Sequence, residues 1–565
     1  MPIVNFRKVL PWLAPSIFLS LFFFYPLTRI LALGLDFSFF QKSPHFLSQT
    51  LEILRFTFYE AALSTLLTLV VGLPLAHLFA HYDFPGKKVL RVLTAVPFML
   101  PTVVVAAGFN ALLGPRGWIN LGWMAFFQLD RAPLVFIGTL SAILIAHVFY
   151  NSTIVIRLVG NAWASMDPHL GDAALSMGAS PRQVLMGITL PLLRPSIFAA
   201  SLLVFLFDFT SYGVILLLGG PRFATIEVEI YIQALQMLNL PAASLLSLVQ
   251  LICTLGFSAI YARYIVRVTA AIKPRAASLN QTRPRLKGQK LYVTGMIIFL
   301  VIFFVLPLLA LPLRSVSQLE ANRADLSQVK QTVTFDYYRE LFVNRNDSLF
   351  YVPPFQAARN SLFYASITVI LSLLLGFPAA AALARPGKLE KWLDPLLMLP
   401  LGASSVTLGL GYILTFNRPL FFSQFTFLTS PMLVPLAHTT IALPFVIRSL
   451  QAALAQIPSQ LREAASVLGA PRWKIWLYVD WPIISRAVIS AGAFAFTISL
   501  GEFGAASLLT RPDYPTLPTA IYRFLSQPGG LNYGQAMAMA TILMLVCGLG
   551  ILLIESFRLP GSGDF

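Results

Sequence analysis

The chain has 565 residues, of which 57% are hydrophobic and 11% are charged, and its mean hydropathy is +0.76. Soluble domains carry about a quarter charged residues, so this composition excludes a set of soluble domains and indicates an integral membrane protein. The net charge of +17 would suit nucleic acid only on a soluble basic face, and none is visible, so we expect no nucleic-acid partner.

Long apolar runs, rather than alternating ones, predict an all-α integral membrane protein. Six spans are expected in the first half of the chain. They lie near 9–35, 56–80, 92–113, 134–158, 192–218 and 243–266. Pro97 and Pro101 in the third span would free backbone carbonyls, which is tolerated where other helices or water satisfy them, as along a transport path.

A basic segment then joins two halves. Residues 273–290 carry six Lys or Arg and no acid, which predicts a flexible cytoplasmic linker over 269–290; an arm that binds lipid electrostatically is the alternative. Six further spans are expected. They lie near 291–313, 360–384, 392–416, 431–451, 485–509 and 534–556. The chain is thus predicted to comprise a first half, 1–268, and a second half, 291–565, with about 12 transmembrane helices in all.

One stretch occurs twice. It reads DAALSMGASPRQVLMGITLP over 172–191 and EAASVLGAPRWKIWLYVDWP over 463–482. At a displacement of 291 positions, the surrounding sequences align without a gap from His147 and His438 to Tyr231 and Tyr522. A repeat of this length predicts two structurally equivalent halves.

Within each copy an acid and two alanines precede a glycine. Such a helix has small side chains, and Gly178 or Gly469 would end it. Pro181 or Pro471 would then begin the next helical piece at its first turn. An ordinary amphipathic connector is the alternative interpretation, but two copies at corresponding positions favour a surface that another protein grips.

The pattern EAA, three residues, Gly, nine residues and I-x-L-P resembles the signature loop of the permease subunits of binding-protein-dependent ABC importers. The first copy keeps the Leu190 and Pro191 ending but has Asp172 in place of glutamate. The second keeps Glu463 but ends in Trp481 and Pro482. The resemblance covers both halves and implies two parallel six-helix repeats of the type I (MetI-like) importer permease.

In that family the loop is a cytoplasmic coupling helix that docks into a groove of the ATP-hydrolysing subunit. The resemblance assigns this role to the corresponding residues of both copies. They are Asp172, Ala173, Ala174, Gly178, Pro191, Glu463, Ala464, Ala465, Gly469 and Pro482.

The chain has no phosphate-binding loop of its own. Gly86-Lys87 and Gly387-Lys388 lack the earlier glycine and the following hydroxyl residue of GxxxxGK[ST]. We therefore expect no enzyme activity and no cofactor in this chain, with ATP and Mg²⁺ bound by two ATP-binding cassette subunits. We also expect a solute-binding protein outside and membrane lipid around the helices. The expected location is the bacterial inner (plasma) membrane, with both termini in the cytoplasm.

Substrate would pass between the halves, because an even number of spans in each makes the repeat parallel. Intramembrane acids are costly and usually face a cavity or a partner, so Asp208 and Glu502 are candidates to line the pathway, with Ser211, Tyr212 and Ser499 nearby. The alternative is that both acids lie at the outer ends of their spans and meet water.

Other polar residues are expected to be structural. Arg157 and Arg448 are equivalent by the repeat and fall near helix ends, where snorkelling or an ion pair is favoured over substrate contact. His147 and His438 are also equivalent, and we expect packing or hydrogen bonding from them. The six histidines and two cysteines show no metal-ligand spacing and no disulfide framework.

A fused two-half permease is similar to those of thiamine and ferric-iron importers. Two sequence segments resemble the thiamine type more closely. They are GPRGWIN at 114–120 and TIEVEIYIQAL at 225–235. The predicted substrate is thiamine or a related small cation, with ferric iron or another small solute as the alternative. From another class, a secondary transporter driven by an ion gradient remains open.

Overall fold

The computed structural model describes residues 6–35, 46–271, 281–321, 329–343, 353–384, 387–417 and 426–557. In these ranges ten helices are long and apolar enough to cross a membrane, and there are up to 12 spans if each of two bent helix pairs is one span. We number them as spans 1–12 in chain order. An all-α membrane fold is confirmed.

The spans divide equally between the halves. Spans 1–6 are Leu10–Gly34, Phe46–His81, the pair Lys87–Met99 and Thr102–Phe127, Leu140–Ala164, Pro181–Phe209 and Leu240–Tyr264. Spans 7–12 are Lys287–Ser315, Pro354–Leu383, the pair Leu389–Gly402 and Ser405–Phe416, Leu433–Ala455, Arg472–Gly501 and Gly530–Ile554. The helices of spans 1, 6 and 12 begin or end outside these bounds, and they cover Phe6–Gly34, Leu240–Ala271 and Gly530–Phe557.

Spans 3 and 9 are bent rather than straight. The first pair turns by 108° around Leu100 and Pro101, and the second by 97° just before Ser405. Proline cannot donate the backbone hydrogen bond that a continuous helix requires, so Pro101 begins a new helix instead of extending the old one. Expecting single continuous helices there was therefore wrong.

Spans 5 and 11 begin earlier than the hydropathy indicated. Both start inside the repeated motif, at Pro181 and Arg472, and end at Phe209 and Gly501. Hydropathy alone misplaced them because the first turns carry polar residues that extend beyond an apolar core. The second part of each motif is thus the base of a span and not a separate polar loop.

Short elements connect the spans. They are the helices Pro168–Ser176, Ile226–Tyr231, Asp336–Glu340, Ser459–Val467, Gly504–Leu509 and Leu517–Ser526, and the antiparallel strands β1 (Ser317–Ala321) and β2 (Val329–Val333). The two strands pair in the loop between spans 7 and 8, where Ser317 lies opposite Val333. This hairpin was not predicted from the sequence.

The first span of each half packs on the other half. Phe22 of span 1 lies 6.3 Å from Tyr412 of span 9, measured between ring centroids. Phe304 of span 7 stacks on Phe149 of span 4 at 5.5 Å. Lipid tails are as apolar as these side chains, so the association rests on close packing rather than on release from water.

Close packing inside each half is also repeated. A Cβ added at Gly72 would lie 2.6 Å from the Cβ of Val155, and one added at Gly376 would lie 3.0 Å from the Cγ1 of Val446. The two valines are equivalent at the displacement of 291 positions. Glycine thus lets span 2 approach span 4, and span 8 approach span 10, as small residues do at membrane helix contacts.

The linker can be followed in part. Its residues 269–271 end the helix of span 6, and Lys287 begins the helix of span 7. Between them, the Thr282 amide donates to the His81 carbonyl at 2.9 Å, and the Asp83 amide donates to the Thr282 carbonyl at 3.0 Å. Residues 272–280 lie outside the described ranges, so the predicted flexibility of the linker stays a prediction.

Candidate functional site

The two short helices before spans 5 and 11 end in the same way. We call Pro168–Ser176 the first loop helix and Ser459–Val467 the second loop helix. Gly178 follows the first with a φ of +90°, and Gly469 follows the second with a φ of +78°. These values lie in the left-handed region, which glycine adopts at little cost, so the predicted helix-ending role of both glycines is confirmed.

The backbone hydrogen bonds at these ends are also identical. In the first copy the Ala179 amide donates to the Ala174 carbonyl and the Gly178 amide to the Leu175 carbonyl, each at 3.0 Å. The second copy has the same pair of bonds, from the residues 291 positions later and again at 3.0 Å. This is the Schellman arrangement, which satisfies the last carbonyls of a helix. Both loops are therefore preformed.

The motif residues divide between an inner and an outer face. Ala174 is buried and Ala465 is half-buried against the rest of the chain. The other members of the predicted coupling set are exposed. They are Asp172, Ala173, Gly178, Pro191, Glu463, Ala464, Gly469 and Pro482. Only one alanine of each pair thus packs inward, and the acid and the other alanine stay on the surface.

Large apolar side chains accompany them on the surface. Met177 is 82% exposed and its repeat equivalent Leu468 is 86% exposed. Leu170 and its equivalent Leu461 are exposed as well. Exposed apolar patches commonly mark protein contacts. The motif analysis did not select these residues, although the repeat alignment already paired them.

One ion pair fixes the second loop helix to its span. The Nε of Arg462 lies 2.8 Å from the Oδ1 of Asp480, which is buried at the base of span 11. The equivalent positions in the first copy are Gly171 and Thr189, which cannot form this pair. Arg448 likewise pairs with Asp394 at 3.0 Å, which confirms the structural role expected for this arginine.

The candidate pathway residues of the first half form a buried polar cluster. Asp208 is fully buried and accepts from the Nδ2 of Asn151 at 2.6 Å. The Nδ1 of His147 lies 2.8 Å from an oxygen of Glu60 and 3.4 Å from one of Asp208. On its other side, the Nε2 of His147 lies 2.8 Å from the Oγ of Ser211. These partners all belong to spans 2, 4 and 5 or to the break after span 5.

The second half repeats this geometry with different residues. The Nδ1 of His438 lies 2.8 Å from the Oγ of Ser499, and its Nε2 lies 3.3 Å from a carboxylate oxygen of Glu502. The Glu502 carboxylate also accepts from the backbone amides of Ala505 and Ala506, both at 3.0 Å. It therefore caps the helix Gly504–Leu509, which follows span 11.

Both clusters clarify the role of the intramembrane acids. Asp208 and Glu502 are buried and hydrogen-bonded within their own halves, so neither is placed to meet water. Each histidine contacts the residue just before an aromatic side chain, Ser211 before Tyr212 and Glu502 before Phe503. The hydrogen-bonding role expected of His147 and His438 is confirmed, and a role of the five candidates in lining the pathway stays a prediction.

Two acids in these regions were not selected from the sequence. Glu60 is fully buried in span 2, and an acid inside an apolar span is itself a signal of function. Glu227 is also buried and lies on the helix Ile226–Tyr231. Nothing in the sequence marked Glu227 as buried, since it falls between two spans.

The helix breaks of the two halves converge. A Cβ added at Gly213, just after span 5, would contact Thr102, which begins the second helix of span 3. A Cβ added at Gly501, at the end of span 11, would lie 3.6 Å from the Cβ of Pro101. The breaks of spans 3, 5 and 11 thus meet across the boundary between halves, where surrounding protein can satisfy their free backbone groups.

Comparison with known proteins agrees with this architecture. The family described as "binding-protein-dependent transport system inner membrane component" matches residues 68–273 and again 372–556. The chain therefore belongs to this family as a fused, two-half permease of an ABC importer, and it is a multi-pass inner membrane protein.

Several relatives match this chain along most of its length. The thiamine transport system permease protein of Escherichia coli (strain K12) is 27% identical over 90% of this chain and 89% of its own length. The protein of the same name from Haemophilus influenzae is 26% identical over 96% and 94%, and that from Brucella abortus (strain 2308) is 28% identical over 90% and 88%. Among solved structures, a bacterial ABC transporter that imports alginate is 22% identical, with a TM-score of 0.36, over 47% of this chain and 94% of that chain.

Proposed function

We propose that this permease imports thiamine or a closely related small cation, with two ATP-binding cassette subunits docked on its two loop helices. The loop helices, the linker and both termini would face the cytoplasm, and a solute-binding protein would deliver the substrate on the opposite side. The full-length likeness to three thiamine permeases supports the substrate.

The observation that carries the docking proposal is the duplicated loop geometry. Two preformed helix ends with the same positive φ and the same hydrogen bonds expose equivalent apolar residues, Met177 and Leu468. A monomeric permease gains nothing from exposing such residues at two equivalent sites, whereas a pair of identical docking subunits would cover both. Neither loop needs to refold on docking, which limits the entropic cost of association.

Transmission of movement follows from the continuity of spans 5 and 11. Each runs without interruption from the foot of a loop helix to a break at the boundary between halves. Span 5 has 29 residues, which at about 1.5 Å per residue gives a rod of roughly 43 Å. A displacement of the loop helix would therefore reach the break directly.

The test is reconstitution. The chain is co-purified with its ATPase subunits, placed in liposomes with the solute-binding protein, and supplied with radiolabelled thiamine and ATP. We expect uptake that requires ATP and the binding protein and that is lost in a Met177→Glu/Leu468→Glu variant, because a charge would be buried at each docking surface. Leu286→Glu is the matched control, because Leu286 is exposed and lies between spans 6 and 7, outside both loop helices and every span.

Other outcomes would identify a different transporter. ATP-dependent uptake of radiolabelled ferric iron but not of thiamine would make the chain an iron permease. Gradient-driven thiamine uptake by the chain alone, without ATPase subunits, would show a secondary transporter and would refute the docking proposal.

A further inference from the structure

Four aromatic side chains occupy equivalent positions in the two halves. Tyr212 and Phe503 follow the ends of spans 5 and 11, and Tyr231 and Tyr522 lie on the short helices after them. Each pair is separated by 291 positions. The four rings, which we call the aromatic plug, therefore obey the same two-fold relation as the loop helices.

The four rings are in contact. The centroids of Tyr212 and Phe503 lie 5.3 Å apart, with the rings stacked across the boundary between halves. Tyr231 lies 5.5 Å from Tyr212, and Tyr522 lies 5.5 Å from Phe503. These are the separations of favourable aromatic pairs, and the matching outer distances show that the two halves contribute equally.

The plug also joins the halves by a hydrogen bond. The hydroxyl of Tyr212 lies 3.0 Å from the Oγ of Ser507, on the helix Gly504–Leu509. Tyr212 is 5% exposed and Phe503 is 3% exposed. The central pair is therefore buried at the level where the helix breaks converge, and passage between these two rings requires them to separate.

A buried acid lies beside the plug. Glu227 precedes Tyr231 by four residues on one short helix, so the two side chains project to the same side. Its carboxylate accepts from the Oγ of Ser404 in the second half at 3.1 Å and from the Nε2 of Gln250. Over the described part of the chain, the structure records no Lys, Arg or His paired with it. A buried carboxylate without a cationic partner is costly, so Glu227 would hold a negative charge only while a cation lies beside it.

We propose that the aromatic plug is the gate that closes the pathway between the halves, and that its ring faces hold an organic cation during passage, with Glu227 as the counter-charge. This inference deepens the proposed function and rests on the import of a small cation. Cations bind over aromatic faces, and do so most strongly where water is excluded. In the closed state each central ring lies against the other. During passage the substrate would take the place of the partner ring on each ring face.

The mechanical link is already present. Span 5 ends three positions before Tyr212 and span 11 ends two positions before Phe503, and the loop helices precede their other ends. Movement of the two spans away from each other would break the Tyr212–Ser507 hydrogen bond and part the central stack. His147 and His438 contact the residues just before the two central aromatic side chains. The polar clusters therefore help to hold these side chains in the closed arrangement.

The closing role is tested without reference to the substrate. Liposomes that contain the full chain are loaded with radiolabelled tetramethylammonium, and passive efflux is measured. We expect Tyr212→Ala/Phe503→Ala to raise efflux at least about tenfold above wild type, because two of the four rings are removed. Phe363→Ala, which deletes an exposed ring on span 8, should leave efflux unchanged. A correctly folded double variant, judged by a monodisperse elution profile, that stays as tight as wild type would overturn the gate.

Cation binding is tested in the reconstituted complex with thiamine as the probe. Phe503→Leu keeps the apolar bulk but removes the ring face, whereas Phe503→Tyr keeps the face. We expect the uptake rate to fall by about 3- to 30-fold in Phe503→Leu, the range of one cation–π contact, and to stay within about twofold in Phe503→Tyr. Glu227→Gln should also slow uptake, while ATP hydrolysis by the complex persists in all three variants.

The two arms separate the possible failures. If wild-type complex shows no thiamine uptake, the proposed substrate is wrong, and the efflux measurement still decides whether the plug is a gate. If wild-type uptake is present but Phe503→Leu and Glu227→Gln transport at the wild-type rate, the cation is not held by the rings, although the import function stands.

Discussion

The geometry of the two loop glycines leads to a quantitative prediction. Gly178 and Gly469 have φ values of +90° and +78°, and a Cβ added at either would meet no atom of the residues that the structure describes within 4 Å. In the free permease an alanine there would therefore suffer from backbone conformation alone and not from a clash. We expect Gly178→Ala and Gly469→Ala to weaken docking of the ATPase subunit.

The size of the effect follows from the backbone. A left-handed conformation costs a non-glycine residue roughly 1–2 kcal/mol, and about 1.4 kcal/mol corresponds to a factor of ten in affinity. Each substitution should thus weaken docking at its own loop by about 5- to 30-fold. Asparagine adopts this conformation more readily than alanine, so Gly178→Asn should weaken docking less than Gly178→Ala despite its larger side chain.

The assay is titration of the purified ATPase subunit onto the permease in nanodiscs, with the dissociation constant measured for each variant. Gly187→Ala is the matched control, because Gly187 is exposed and does not have a positive φ, and its added Cβ would have no atom of the described stretches within 4 Å. If Gly178→Asn bound more weakly than Gly178→Ala, the decisive factor would be the close approach of the partner, and the conformational reasoning would be refuted.

Three further predictions concern stability and movement. His147→Ala would leave two buried carboxylates without their shared partner and should lower the free energy of unfolding by about 3–5 kcal/mol. The measurement is the loss of monodisperse protein on heating, and an unchanged melting profile would contradict the buried cluster. Gly72→Ala should cost about 1–3 kcal/mol through overpacking against span 4. Gly256→Ala should be almost neutral, because its added Cβ would lie within 4 Å of no atom in the described ranges; equal effects of the two substitutions would refute the close contact. The double variant Pro101→Cys/Gly501→Cys, made in a background lacking the two native cysteines, would place two Cβ atoms 3.6 Å apart, which suits a disulfide. Oxidation should stop uptake and reduction should restore it. Uptake that continues with the disulfide formed would show that the halves need not separate at this point.

The sequence determined the architecture to a useful depth. The repeated stretches at 172–191 and 463–482 predicted two equivalent halves, and the glycine in each predicted a helix end, because only glycine enters the left-handed region at little cost. Continuous apolar runs located the spans, since a membrane helix must hide its backbone within about 20 apolar residues. Glu60 could have been added on the same reasoning, because an acid inside such a run is exceptional.

Other features depended on the tertiary structure. Hydropathy cannot show which helices are neighbours, because lipid and a second helix are equally apolar surroundings; the packing of span 1 on the second half and of span 7 on the first is therefore invisible in the sequence. The bends of spans 3 and 9 depend on where freed backbone groups find partners. The contact of Tyr212 with Phe503 and Ser507 joins residues almost 300 positions apart, and only the assembled halves bring them together.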